Sequence, residues 1–165
     1  MSPSTISLIG MPGAGKSTVG VALAKSAQLG FIDSDLEIQL REGASLQDIV
    51  EHKGYLVLRT IEEEVLLTMP LSHSVVATGG SAIYSGKAMQ RLSTAGPLVY
   101  LRAELATLQA RVAKHPLRGI ASDPAESFAT IFTERTPFYA RYADITIDVA
   151  SCSVERLVEE ILDAV

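Results

Sequence analysis

The sequence predicts an α/β fold built on an open parallel sheet, and three observations carry that prediction. Five short runs of β-branched and apolar residues recur along the chain: residues 5–10 (TISLIG), 30–33 (GFID), 74–78 (SVVAT), 97–102 (PLVYLR) and 144–149 (DITIDV). Stretches of helical character fill the intervals between them. The first run leads directly into GMPGAGKSTVG, a glycine-rich loop followed by a helical pattern. Strands separated by helices pair in parallel through right-handed crossovers. An open parallel sheet collects its ligands at the carboxyl ends of its strands.

Each element has a local reason. Residues 5–10 are apolar and stop at glycine, as a buried strand does. Residues 16–28 carry Val19, Leu23 and Ala27 at helical spacing. Residues 36–42, 45–52 and 55–69 read as helices, separated by Gly43 and Gly54. Ser45 is placed to cap the middle one, with Asp48 three residues on. Residues 74–78 run as a buried strand into Gly79-Gly80-Ser81, and residues 154–164 close the chain as a helix.

Composition bounds the function. A chain of 165 residues with 47% hydrophobic content fits a single globular domain over residues 1–165. The net charge is −5, with no long run of Lys or Arg, so neither a nucleic-acid nor a membrane partner is expected. A small anionic ligand needs only a local cluster of charge. The lone Cys152 can form no internal disulfide, which suits a reducing cytoplasm. No apolar run approaches the roughly 20 residues of a membrane span. The N-terminal MSPSTISLIG lacks a basic leader segment and reads as the first strand. A cytoplasmic monomer is the expectation.

Gly10, Gly15, Lys16 and Ser17 satisfy G-x-x-x-x-G-K-[ST] between a strand and a helix. Glycines let backbone N–H groups curl around phosphate oxygens, and the helix behind them points its positive end at the same place. Lys16 adds a point charge on the outer phosphates, and Ser17 offers a hydroxyl to Mg²⁺. ATP and Mg²⁺ are the expected cofactors, with Gly13, Ala14, Gly15, Lys16, Ser17 and Thr18 lining the nucleotide. The loop alone does not separate a kinase from an NTPase or a switch protein.

Four further features bear on the acceptor of the phosphate. Asp33 and Asp35, in DSD, follow the second strand and can face one cleft, though an Asp there also caps a following helix. Arg59, in LRTIEEE, has Glu62 and Glu63 three and four residues on, the spacing of an internal ion pair. Gly79 and Gly80 end a strand, where a backbone can approach a ligand closely. Arg135 and Arg141 lie in ERTPFYARYAD, and either could simply be solvated.

In this order along nearly the whole chain, the phosphate loop, DSD, Arg59-x-x-Glu62, the glycine pair and ERTPFY resemble the shikimate kinase family. The resemblance implies a three-layer αβα fold of the nucleoside-monophosphate-kinase type with a five-stranded parallel sheet. It implies a substrate-binding helical region over about residues 33–62 and a mobile lid over about residues 112–124. It also implies transfer of the ATP γ-phosphate to the 3-hydroxyl of shikimate, a small polyol carboxylate of aromatic amino acid biosynthesis. Arg59 and Arg135 would hold the substrate carboxylate, as guanidinium forks do. Asp35 would orient or deprotonate the attacking hydroxyl. Asp33 would help to position Mg²⁺ beside Ser17. Gly79 and Gly80 would offer backbone groups to the substrate, Glu62 would orient Arg59, and Arg111 would lie against the adenine.

The chain departs from the family pattern in two places. Ser81 stands where members usually carry a third glycine, and its side chain could intrude on the substrate or reshape the turn. In the lid, KHPLRG replaces an Arg-Pro-Leu-Leu segment. His115 then takes the arginine's place, or Arg118 does its work from beyond the Pro-Leu pair. The expectation is Arg118, seven residues after Arg111 and beside a glycine that lets a loop swing it inward. These departures keep open a kinase of the same build acting on another small hydroxy compound, or an inactive nucleotide-binding homologue.

Overall fold

In the computed structural model, which describes residues 4–115, 119–150 and 152–165, the five apolar runs are all strands. They are β1 (Thr5–Ile9), β2 (Gly30–Asp33), β3 (Ser74–Ala77), β4 (Leu98–Arg102) and β5 (Ile145–Asp148). They pair in parallel in the order β2-β3-β1-β4-β5. Every residue of β1 and β3 is buried, as befits strands covered on both faces. β1 lies at the centre, with Leu8 opposite Ala77 of β3 on one side and Val99 of β4 on the other.

This order positions the site. Because β1 and β3 are neighbours, the loop after β1 and the glycine turn after β3 leave the sheet side by side. Because β2 pairs with β3, with Asp33 opposite Ala77, Asp33 ends beside the same turn.

The helices among the described residues are α1 (Lys16–Ala27), α2 (Ser34–Glu42), α3 (Leu46–Lys53), α4 (Tyr55–Thr68), α5 (Gly86–Ala95), α6 (Leu105–Lys114), α7 (Phe128–Tyr142) and α8 (Val154–Ala164). α1 and α8 pack together, α1 against β3 and α8 against β5, while α5 packs against β1 and α7 against β4. The result is the layered αβα architecture that was expected. The helices α2, α3 and α4 pack on one another after β2. The core they enclose includes Leu8, Leu23, Val76, Leu92, Val99 and Leu108, all with no exposed surface. Burying side chains of this size stabilises the fold by about 1.5–3 kcal/mol each.

Helix ends follow their caps. α2 begins at Ser34, two residues before the sequence-based boundary, because the Asp33 side chain accepts from the N–H groups of Asp35 and Leu36. Ser45 and Asp48 close a reciprocal capping box at the head of α3. Gln28 adopts a left-handed conformation (φ 57°) and ends α1 one residue early. Among the described residues, no helix is long and apolar enough to cross a membrane.

Candidate active site

The phosphate loop joins β1 to α1. Gly15 precedes the helix at φ +97°, a conformation that side chains disfavour, and so aims the first turn of α1 at the loop's concave side. Lys16 is buried and folds back on its own loop, its Nζ donating to the carbonyls of Gly10 (2.7 Å) and Met11 (2.8 Å). Burial pushes the Lys16 ammonium down to about 8; the Asp35, Glu62 and Asp33 carboxylates oppose that shift, and Arg135 adds to it. Arg111 of α6 donates Nη1 to the carbonyls of Gly13 (3.0 Å) and Ala14 (3.1 Å), tying the outer side of the loop to α6.

Asp33 uses its two oxygens differently, and the helix cap is the anticipated role that the contacts display. Oδ1 caps α2, accepting from Asp35 N at 2.9 Å, while Oδ2 accepts from Ser17 Oγ at 2.6 Å. Asp35, in the first turn of α2, is half-buried. Burial raises its pKa above the ordinary carboxylate value, the neighbouring Asp33 raises it further, and Lys16 opposes the shift.

The glycine turn is held where a side chain would not fit. Gly79 N donates to Ser34 Oγ at 2.9 Å. A Cβ on Gly79 would stand 2.6 Å from Glu62 Oε1 and 2.8 Å from Asp35 Oδ1. A Cβ on Gly80 would stand 2.7 Å from Pro12 Cδ and 2.9 Å from Arg135 Nη1. The turn therefore runs between the phosphate loop and two carboxylates, with its backbone against both.

Ser81 follows this turn with its side chain buried. Its buried hydroxyl donates to Glu62 Oε2. Glu62 is itself buried, its Oε1 has no partner among the described residues, and no ion pair joins it to Arg59 there. The expected orientation of Arg59 by Glu62 is thus corrected: the Ser81 hydroxyl holds that carboxylate instead. Burial raises the Glu62 pKa to about 7, helped by Asp35 and opposed by the Ser81 hydrogen bond, Arg135 and Lys16.

Two arginines meet at one carbonyl. Arg59 Nε of α4 donates to Ala121 O at 2.8 Å, and Arg135 Nη2 of α7 donates to the same oxygen at 3.0 Å and to Ser122 Oγ at 2.8 Å. Arg135 is 1% exposed, so it is not a solvated surface arginine, whereas Arg141 is exposed. The Arg59 guanidinium carbon lies 3.9 Å from the centre of the Tyr84 ring.

A cavity of about 280 Å³ connects these groups, lined by Lys16, Ser17 and Thr18 together with Asp35, Glu62, Gly79, Gly80 and Arg135. Arg59 stands in an adjoining pocket, and Glu62 and Ser81 line both spaces. His115 ends α6 as an exposed residue, and Arg118 lies outside the described residues. Sequence reasoning did not anticipate Ser34, Ala121, Ser122 or Tyr84. Ser34 was signalled only by its place inside DSD, and a backbone carbonyl such as that of Ala121 leaves no mark in a sequence.

A family model described as shikimate kinase matches residues 12–165. A shikimate kinase of Chromobacterium violaceum is 38% identical over 165 residues, an alignment spanning 95% of this chain and 89% of that protein. Among solved structures, a shikimate kinase from Acinetobacter baumannii in complex with shikimate is 33% identical with a TM-score of 0.86, covering 99% of this chain and 93% of that one. The shikimate kinase of Aquifex aeolicus is also 33% identical, with a TM-score of 0.81 over 96% of this chain and 94% of that one.

Proposed function

The chain belongs to the shikimate kinase family, and from that membership we propose that it phosphorylates the 3-hydroxyl of shikimate with ATP, giving shikimate 3-phosphate and ADP. The observation that carries the reading is one cavity lined both by a phosphate loop with its lysine and by a carboxylate and a buried arginine. The Acinetobacter baumannii relative was solved with shikimate bound, which supports the same class of acceptor.

The residues divide between the two substrates. The loop from Gly13 through Thr18 receives the ATP phosphates, with Lys16 turning from the Gly10 and Met11 carbonyls to the outer phosphate oxygens. Arg111, on the outer face of the loop, lies against the adenine. Arg59 and Arg135 clamp the shikimate carboxylate, and the backbone of Gly79 and Gly80 lines the ring. Asp35 accepts the proton of the attacking hydroxyl as its oxygen bonds to the γ-phosphorus. The bond from phosphorus to the β,γ-bridging oxygen breaks, and ADP leaves with those electrons. Holding the two reactants in line supplies much of the rate.

The donor set fits Mg²⁺. Ser17 Oγ and Asp33 Oδ2 are hard oxygen donors 2.6 Å apart beside the loop, and Mg²⁺ in phosphoryl-transfer sites takes one or two such ligands, with phosphate oxygens and water completing the shell. Mg²⁺ supplies neutralisation of the charge on the phosphates. Arg118 supplies the remaining positive charge to the transferring group.

The test is ADP release with shikimate, with polyols and acids of similar size, and with no acceptor, with the phosphorylated product identified by phosphorus NMR. Turnover selective for shikimate is expected. Equal or faster turnover of an acceptor lacking a carboxylate would move the assignment to another hydroxy compound. Arg118→Ala should lower kcat by about 10³-fold at saturating substrates, with no new pH dependence. A loss confined to His115→Ala, with wild-type activity falling as pH rises through the imidazole range, transfers the role to His115.

A further inference from the structure

We propose that Tyr84 is a positioning residue for acceptor binding, its ring being the platform that holds the Arg59 and Arg135 guanidiniums as a pair; the inference rests on the arginine clamp proposed above. Tyr84 ends the 3₁₀ turn (Ala82–Tyr84) that follows the glycine turn. Its ring centre lies 3.9 Å from the Arg59 guanidinium carbon and 5.4 Å from that of Arg135. Tyr55 approaches Arg59 as well, at 5.1 Å.

Two cations close together repel, and something must keep both in place while they await an anion. The shared Ala121 carbonyl does part of this, taking Nε from one and Nη2 from the other. That one oxygen leaves the Arg59 guanidinium free to swing about its bond, whereas Arg135 is tied to Ser122 Oγ as well. An aromatic face removes that freedom: its negative quadrupole attracts both cations and consumes no N–H donor. Among the described residues Arg59 donates only through Nε, so both of its terminal nitrogens remain for the two oxygens of a carboxylate.

The platform is itself anchored. Tyr84 Oη donates to Glu134 Oε1 at 2.7 Å, and the Phe138 ring packs at 5.9 Å with the planes tilted by 55°. Both partners sit on α7, the helix that carries Arg135. Tyr84 therefore couples the arginine of α4 to the arginine of α7 through one ring.

Steady-state kinetics on wild type, Tyr84→Leu, Tyr84→Phe and Arg59→Ala test the inference. Leucine keeps apolar bulk and removes the π face, and Tyr84→Met is a second variant of the same kind should leucine impair folding. The shikimate KM should rise about tenfold in Tyr84→Leu, with little change in kcat or in the ATP KM. Tyr84→Phe keeps the face and should stay within about twofold of wild type in the shikimate KM. An unchanged or lowered shikimate KM in a folded Tyr84→Leu or Tyr84→Met protein overturns the platform, as does an equal loss in Tyr84→Phe. A normal KM in Arg59→Ala refutes the clamp, and the inference falls with it. A raised KM in Arg59→Ala beside a normal one in Tyr84→Leu refutes the platform alone.

Discussion

Asp33 and Asp35 are two residues apart and chemically identical, yet their surroundings give them different work. Asp33 is held by backbone N–H on one oxygen and by the Ser17 hydroxyl on the other, so its carboxylate is fixed in place beside the phosphate loop. Asp35 has a carboxyl raised above its ordinary range by burial and by its neighbour, and a group that takes a proton benefits from such a shift. Asp35→Asn is therefore expected to lower kcat by about 10²- to 10⁴-fold. Only the deprotonated carboxylate can accept the hydroxyl proton. Wild-type kcat/KM for the acceptor should then fall as pH is lowered through a pKa above the ordinary aspartate value. Residual activity of the asparagine variant should lose that acid limb. A variant that keeps the same limb would assign it to another group.

At the scale of the element, α4 and the glycine turn position most of the acceptor end. α4 carries Arg59 and Glu62 one turn apart, and its last carbonyls are held from α5: Arg91 donates to Leu66 O at 2.6 Å and to Met69 O at 2.8 Å. A cation at a helix C-terminus satisfies orphan carbonyls and favours the helix dipole. Arg91→Ala should lose about 1–3 kcal/mol of stability by urea unfolding, without a matching change in either KM. The glycine turn behaves in the opposite way. Gly79→Ala places a methyl against Glu62 Oε1 and Asp35 Oδ1, the ends of side chains that can yield. Stability should change little, while the displacement of Asp35 lowers kcat by about tenfold or more. Circular dichroism melting beside initial rates separates the two cases.

For the whole molecule, the site's charges work against stability near neutral pH. Glu62 has a folded pKa of about 7 against an ordinary value of 4.5. Between those values the folded protein binds more protons than the unfolded chain, so this group makes stability fall as pH rises from about 4.5 to 7. Lys16 has a folded pKa of about 8 against 10.5. Between those values the unfolded chain binds more protons, so stability rises with pH across that window. The combined cost is largest between about pH 7 and 8. Glu62→Gln should be more stable than wild type by about 1–3 kcal/mol at pH 7.5, and the difference should vanish near pH 4.5. A constant difference at both pH values would assign the effect to packing rather than charge. Adenine nucleotide with Mg²⁺ should offset the cost of Lys16 by giving its ammonium a phosphate partner. At a hundredfold excess over Kd, mass action adds about 2.7 kcal/mol.

Sequence alone determined what depends on neighbours a few residues apart. The five strands, the phosphate loop, the capping box at Ser45 and the cap at Asp33 all follow from short-range patterns of period, turn and cap. The parallel sheet follows from strands alternating with helices. Only the tertiary structure decided which side chains meet across the cleft. Arg59 had two glutamates within one helical turn, yet it bonds to Ala121, 62 residues away. Local pattern alone leaves Arg135 and Arg141 alike, and packing buried one and exposed the other. Ser81 reaches Glu62, 19 residues away, a partner that its sequence neighbours do not announce. Each of these outcomes depends on how helices from distant parts of the chain are set over the sheet edge. A backbone carbonyl or an aromatic face brought there by the fold competes with the local partners, and no local rule records that it will be present.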